Sequence, residues 1–277
     1  MRPSPTWNAL QVRRPSFALA ADVPRYWNGG DPFATHYLNS LSSVFPDGEA
    51  FFVRSVQHFR DRIDDPNLLR AIQGFSGQES QHSQQHDRHL ELLAAQGYTA
   101  LLRLNRMADQ AMRFGNRHWP KFSLASTASV EHLTALLARR ILRDGSAFTA
   151  AMDPRMAALW RWHAVEEAEH KAVAYDVLQH VAPSRALRSF ALVVNTIGLF
   201  AEMLVRTLYM LAKDGVLLRR ETVASGRRFL FGRSGLLRGH GRDYAAWFRR
   251  GFHPGQIDDR PLIDAWQREQ SGATASP

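Results

Sequence analysis

The 277-residue chain contains no cysteine. That absence excludes disulfide frameworks, zinc fingers, iron–sulfur clusters and thiol nucleophiles, and it leaves any metal site to His, Asp and Glu. Long runs of alternating apolar and polar residues are missing as well, which removes a β-sheet from consideration. The first 21 residues carry Arg2, Arg13, Arg14 and several prolines but no continuous apolar core. A secretory signal is therefore not expected, and the cytoplasm is the expected location. At 45% hydrophobic and 22% charged residues, the composition excludes disordered, collagenous and coiled-coil classes.

What the sequence does contain is helix punctuation. Residues 1–31 are Pro-rich and aperiodic, with Trp27-Asn28-Gly29-Gly30 reading as a turn, so they are expected to form an arm lying on the domain. Helical periodicity begins at Pro32. A short amphipathic piece over 33–44 is followed by Phe45-Pro46-Asp47-Gly48, which predicts a restart into a helix reaching about Ile63. Asp65-Pro66 supplies a cap and a first-turn proline for a helix over 67–95, ended by Gly97. A shorter Arg-bearing helix over 99–118 is broken by Trp119-Pro120. A further helix over 122–143 is expected to stop at Asp144-Gly145, and Asp153-Pro154 starts another over 154–181, which Pro183 terminates. The predicted fold is all-α: a ferritin-like four-helix bundle over 32–185, additional C-terminal helices over 186–262, and a frayed tail over 263–277.

The chemistry sits on these helices. Seven of the 12 histidines fall between His82 and His170, in the same stretch as carboxylates on otherwise apolar faces. Glu49 belongs to the first long helix, Glu79 and His82 to the second, Glu131 to the third, and Glu167 and His170 to the fourth. Residues three apart on a helix differ by about 60° in direction, so each Glu-x-x-His pair points from one face into the same space. The order E, ExxH, E, ExxH over four helices is the arrangement that holds two iron or manganese ions in a bundle. Four glutamates supply negative charge to two divalent cations, and neutral imidazoles complete the coordination; buried without a metal, such carboxylates would be very costly. His163, four residues before Glu167, is favoured as a seventh ligand. His86 and His89 continue the face of Glu79 and His82 and read as a less certain ligand and a positioning group. Glu166, spaced i,i+4 from His170, competes with Glu167, which the i,i+3 bundle spacing favours. A lone helix-face glutamate is usually solvated and a lone buried histidine usually a satisfied core residue; Glu49, close behind Pro46, is also explicable as a first-turn acid at a helix dipole. The matched set of four helices carries the reading.

The segments FPDGEAFF (45–52), QESQH (78–82), EH (131–132) and HAVEEAEHKAVAYDV (163–177), with Phe252-His253-Pro254-Gly255, resemble the bacterial family labelled predicted metal-dependent hydrolase. Its ligand pattern is similar to that of the p-aminobenzoate N-oxygenases, whose last bundle helix also carries HxxxExxH with the additional His on iron. The resemblance implies Glu49, Glu79, His82, Glu131, His163, Glu167 and His170 as ligands. The expected function is that of a di-iron, O2-dependent oxidase or oxygenase acting on an apolar or aromatic small molecule, with an electron-donor protein as partner. Manganese or a mixed Mn/Fe pair is the alternative metal content, with zinc less suited. The alternative reactions are hydrolysis by a metal-activated water and non-catalytic metal binding at a membrane surface. Phe51, Phe52, Phe75, Trp160 and Trp162 are expected to line the substrate space.

The formal charge of +9 is concentrated. Residues 219–250 hold nine Arg against Glu221 and Asp243, a net +7. With Phe229, Phe231, Leu236, Leu237, Trp247 and Phe248, this stretch has the composition of an interfacial amphipathic element. The segment 189–212 is the most apolar in the chain and is expected to be a buried helix covering the bundle, with lipid contact as the alternative. An anionic membrane surface reached through 186–250, at the inner face of the membrane, is therefore an expected partner. Nucleic acid is not, because the basic stretch contains no recognition module.

Overall fold

A computed structural model of the chain describes residues 10–143 and 146–274. The helices are α1 (Pro32–Gln57), α2 (Pro66–Ala95), α3 (Ala100–His118), α4 (Pro120–Arg143), α5 (Ser146–Thr149), α6 (Pro154–His170), α7 (Val173–Val181), α8 (Arg185–Lys213), α9 (Arg220–Phe231), α10 (Gly241–Ala246) and α11 (Arg260–Thr274). No strand forms among the described residues, so the protein is all-α. The expected stop at Asp144-Gly145 lies outside the described residues, as does the start of the arm.

Three helices begin in the same way. Asp31, Asp65 and Asp153 each accept a backbone N–H of the first turn, from Ala34, Asn67 and Arg155, and a proline follows each at the first helical position. The carboxylate satisfies an orphan donor, and proline's missing N–H costs nothing there. α1 packs mainly on α2 and α4 mainly on α6, while α1–α4, α2–α6 and α2–α7 contacts close the four-helix arrangement. The apolar residues that hold it include Phe75, Ile72 and Leu124 towards one end and Leu38, Met156 and Leu159 towards the other.

Several expectations are corrected. Pro46 does not restart a helix: α1 runs through it without interruption from Pro32 to Gln57. An interior proline removes one backbone hydrogen bond, but nearly every α1 residue from Ala34 to Phe52 is buried or half-buried, and this packing carries the helix across the defect. Glu49 is consequently mid-helix, where a first-turn dipole no longer explains it. The helix expected over 154–181 is interrupted at Lys171 and Ala172, directly after His170. Lys171 is buried there, and its ammonium donates to the Ile257 carbonyl and to Asp259. Residues 263–274, expected to fray, continue α11, with Ile263 and Trp266 packed against α6 and its surroundings.

The Arg-rich C-terminal stretch also differs from the expected amphipathic element. Most of its apolar residues turn inward: Leu236 and Trp247 are buried in the core, and Phe229, Leu237 and Phe248 are half-buried, while Phe231 stays exposed at 64%. Trp247 stacks on His132 with ring centroids 4.9 Å apart and donates its indole N–H to the Arg188 carbonyl at 3.0 Å. Phe252 and His253 close over α7, where His253 Nε2 meets Asp176 at 2.7 Å.

The arm lies on α2 because two glycines let it. A Cβ at Gly74 would stand 2.6 Å from Leu10 Cβ, and one at Gly77 would stand 2.5 Å from Val12 Cγ2. Gln78 and Gln85 then donate to the carbonyls of Gln11 and Pro15. Mid-helix glycine costs about 1 kcal/mol relative to alanine, and here the cost is offset by the arm's close approach.

Because Trp247 is a core residue, Trp247→Ala should destabilise the protein by about 3–5 kcal/mol in denaturant titration. A change below about 1 kcal/mol, the scale of an exposed surface position, would show that the stretch does not pack on the bundle.

Candidate metal centre

The inward faces of α1, α2, α4 and α6 converge on one polar cluster inside the apolar core. Glu49, Glu79, His82, Glu131, His163, Glu167 and His170 are all buried. Their ligand-type atoms form two groups, Glu49/His82/His163 and Glu79/Glu167/His170, each with its three atoms within 4.8 Å of one another. Glu131 adjoins the second group, its Oε2 standing 3.3 Å from His170 Nε2.

Two carboxylates connect the groups. Glu167 Oε1 is 3.7 Å from His82 Nδ1, 3.1 Å from His163 Nε2 and 3.7 Å from His170 Nε2. Glu79 Oε1 is 2.9 Å from His170 Nε2 and 4.0 Å from His82 Nδ1. Despite these approaches, both oxygens of Glu49, Glu79 and Glu131 and the inward nitrogens of the three histidines make no hydrogen bond. Buried polar atoms are ordinarily paired, and an unpaired one costs about 1–3 kcal/mol. Nine orphaned donor or acceptor atoms facing one space fit a cation site, since coordination supplies the partners that hydrogen bonds do not.

Each imidazole is held from behind by its other nitrogen. His82 Nε2 donates to Glu166 Oε2 at 3.0 Å, His170 Nδ1 donates to Gln78 Oε1 at 2.9 Å, and His163 Nδ1 pairs with His86 Nε2 at 2.9 Å. This is the outer support that fixes ring orientation and tautomer in metal sites. Behind His86 the chain continues to Ser42 Oγ and on to His89, each step 2.7 Å. Burial, reinforced by His163, keeps His86 well below the ordinary imidazole value, and burial pushes His89 down to about 3. Both rings are neutral, so each donates once and accepts once. If His163 presents a lone pair inward, its Nδ1–H donates to His86, which donates to Ser42, which donates to His89.

Two less certain ligands thus take other places. His86 uses both ring nitrogens in this chain and does not face the cluster. Glu166 is committed to His82 on one oxygen and to Arg13 Nη1 on the other, at 3.0 Å. His132, beside Glu131 in sequence, stacks away on Trp247.

Sequence reasoning missed Arg13, Gln78, Thr134 and Ser42. Arg13 grips Glu169 with two parallel bonds of 2.8 and 2.7 Å, and Glu169 in turn accepts from Gln78. One guanidinium from the arm therefore braces both His82 and His170 through intermediaries. Nothing in an aperiodic, Pro-rich arm marks Arg13; the available signal was the Gly74–Gly77 spacing just before QESQH. Thr134 Oγ1 donates to Glu167 Oε2.

The electrostatics follow from crowding. Burial, then the charges of Glu79, Glu167 and Glu131, raise Glu49 well above the usual carboxylate range; burial, then Glu131, does the same to Glu79. Burial and Glu167 push Glu131 up to about 7. Burial would raise Glu167 too, but His163 and His170 hold it well below. Burial would lower His170, yet Glu131 and Glu79 raise it well above its ordinary value.

Beside the cluster lies a cavity of about 510 Å³ between α1, α3, α4 and α8. Phe51, Phe52 and Phe45 line its inner part together with Thr134. Phe45 also stacks on His163 at 4.6 Å. Of the aromatics expected to line this space, Phe75 and Trp162 instead pack edge-on against His170 and His82, and Trp160 faces a separate small void.

The chain matches the family described as predicted metal-dependent hydrolase over residues 11–258. No curated protein and no solved structure matches it.

Because a cation must displace the proton that Glu131 carries below about pH 7, metal affinity should fall as pH is lowered through 7. The expected slope is about tenfold per pH unit for each proton displaced. Calorimetric titration with Mn(II) between pH 6 and 8 checks this, and a flat profile would contradict it.

Proposed function

This chain belongs to the predicted metal-dependent hydrolase family, and from that premise we propose that it is a dinuclear metal enzyme hydrolysing an ester of an apolar acid. Glu49, Glu79, His82, Glu131, His163, Glu167 and His170 would hold the two divalent ions. The observation that carries the reading is the set of orphaned atoms on these seven buried residues, with all three rings braced from behind. When bound, the ions supply Lewis acidity and acidify water enough to make a nucleophile at neutral pH.

The chain's own residues do the rest. Phe45, Phe51 and Phe52 exclude bulk water from the inner cavity and offer an apolar wall to an acyl or aryl group. Thr134, bonded to Glu167 and lining the same cavity, joins substrate space to metal centre. The charged lining is sparse: Asp47, Glu202 and Arg206, with Arg206 tied to Glu202 at 2.6 Å. Among the described residues no free cation there balances a phosphodiester, which favours a neutral carboxylic ester over a phosphoester.

A second reading is supported by the donor set itself. Four carboxylates and three imidazoles, without a sulfur donor, suit iron or manganese. O2-dependent oxidation of an apolar substrate uses the same pocket and ligands.

The two separate cleanly. Protein loaded anaerobically with Mn(II), Zn(II) or Fe(II) should bind two ions per chain and cleave nitrophenyl esters of medium-chain acids without O2. Glu79→Ala and His170→Ala should each lower metal affinity or turnover by about 10–100-fold or more. Fewer than two ions per chain would overturn the dinuclear centre. Absence of anaerobic cleavage together with stoichiometric O2 uptake by the Fe(II) form would transfer the assignment to the second reading.

A further inference from the structure

α8 is long and apolar enough to cross a membrane, yet only 28% of its most apolar 18 residues are buried. One of its faces is packed on the protein. Arg188, Ala191, Leu192, Met203, Arg206 and Met210 bury one face along its whole length, and it packs on α1 and α4. The opposite face is left bare. Phe190, Val194, Ile197, Ala201, Leu204, Val205 and Leu208 follow the i, i+3/i+4 rhythm of one stripe and are exposed, Ile197 to 66% and Phe190 to 62%. The stripe is about 27 Å long at helical rise. Across the cavity, α3 exposes Met107, Ala111 and Phe114, spaced i, i+4, i+7 on one face, and Trp119 follows at 59% exposure.

A soluble monomer rarely exposes so large a continuous apolar surface, and the surrounding charges select what covers it. Arg185 is exposed at one end of α8 and Lys213, Arg219 and Arg220 at the other; Arg103 and Arg117 are exposed on α3. The half-buried Glu202 is the one acidic side chain within α8. A second copy of the chain paired through α8, parallel or antiparallel, would set these cations against cations. An anionic bilayer complements both the apolar stripe and its basic ends.

The cavity opens onto this same surface. Of its lining residues, Ala111, Trp119, Val194 and Gly198 are exposed, whereas Phe45, Phe52 and Thr134 at its inner part are buried. We propose that α8 and α3 rest in the plane of an anionic lipid surface, and that the cavity between them takes an acyl chain laterally from the bilayer to the metal centre. The substrate class is therefore a membrane-dissolved, acyl-bearing lipid. This second part rests on the proposed function; docking of the surface does not.

The cysteine-free chain allows a direct test. Ile197→Cys and, as a control on the outer face of α2, Ser80→Cys are each labelled with an environment-sensitive fluorophore and mixed with vesicles of phosphatidylcholine alone or with 30% phosphatidylglycerol. The label at 197 should shift to the blue on anionic vesicles at low salt, the label at 80 should not, and the full chain should float with them. Ile197→Glu/Leu204→Glu should lower flotation at least tenfold while leaving thermal stability and metal content unchanged. No shift at 197 on either vesicle, or a vesicle-free dimer dissolved by the double substitution, would overturn the docking. If the wild-type chain floats but releases no fatty acid from vesicle lipid ester, while still cleaving soluble esters, lateral entry is overturned. If it floats and cleaves neither, the hydrolase reading fails and the docking stands.

Discussion

Four carboxylates buried within a few ångströms of one another cannot all be charged unless something positive joins them. That constraint organises the rest of the molecule. Coulomb repulsion at these distances in a poorly polarisable interior is worth several kcal/mol per pair, and hydrogen bonds do not relieve it, because both oxygens of Glu49, Glu79 and Glu131 are unpartnered. A helix bundle built for stability alone would fill the same volume with Leu and Ile. Here Phe75, Trp162 and Phe45 pack around the three imidazoles as an apolar jacket, and coordination to a cation would satisfy the donors.

The supports around the centre show the same economy of parts. Each ring has one outward bond: to Glu166 on α6, to Gln78 on α2, and to His86 on α2 with Ser42 on α1 behind it. The aperiodic arm completes the set, since Arg13 reaches both Glu166 and Glu169. The orientation of the imidazoles therefore depends on Gly74 and Gly77, which touch none of the three rings but admit the arm. A segment that looks like a passive N-terminal extension is coupled to the geometry of the centre.

Much of this was legible in the sequence. Helix starts at Asp65-Pro66 and Asp153-Pro154, the matched Glu-x-x-His pairs and the all-α class follow from local chemistry that a linear pattern records. The structure brings the seven named Glu and His residues into one cluster. What escaped was anything that depends on distant partners. Pro46 reads as a helix start because its local effect is to break hydrogen bonding, and tertiary burial of α1 overrides it. Trp247 and Leu236 read as an outward amphipathic face because composition carries no direction; they are core, and the exposed apolar face lies instead on α8 and α3. His86 and Glu166 sit at ligand-like spacing but one bond too far out, a distinction that only side-chain geometry makes.

The claim that everything else rests on is that the buried cluster holds two cations. A crystal grown with Mn(II) and measured at the manganese edge tests it without reference to any reaction. The account predicts two anomalous peaks per chain, enclosed by Glu49, Glu79, Glu131 and Glu167 with His82, His163 and His170 directed at them. A chain that binds no manganese there, with those carboxyls protonated and hydrogen-bonded to one another or to water, would contradict it.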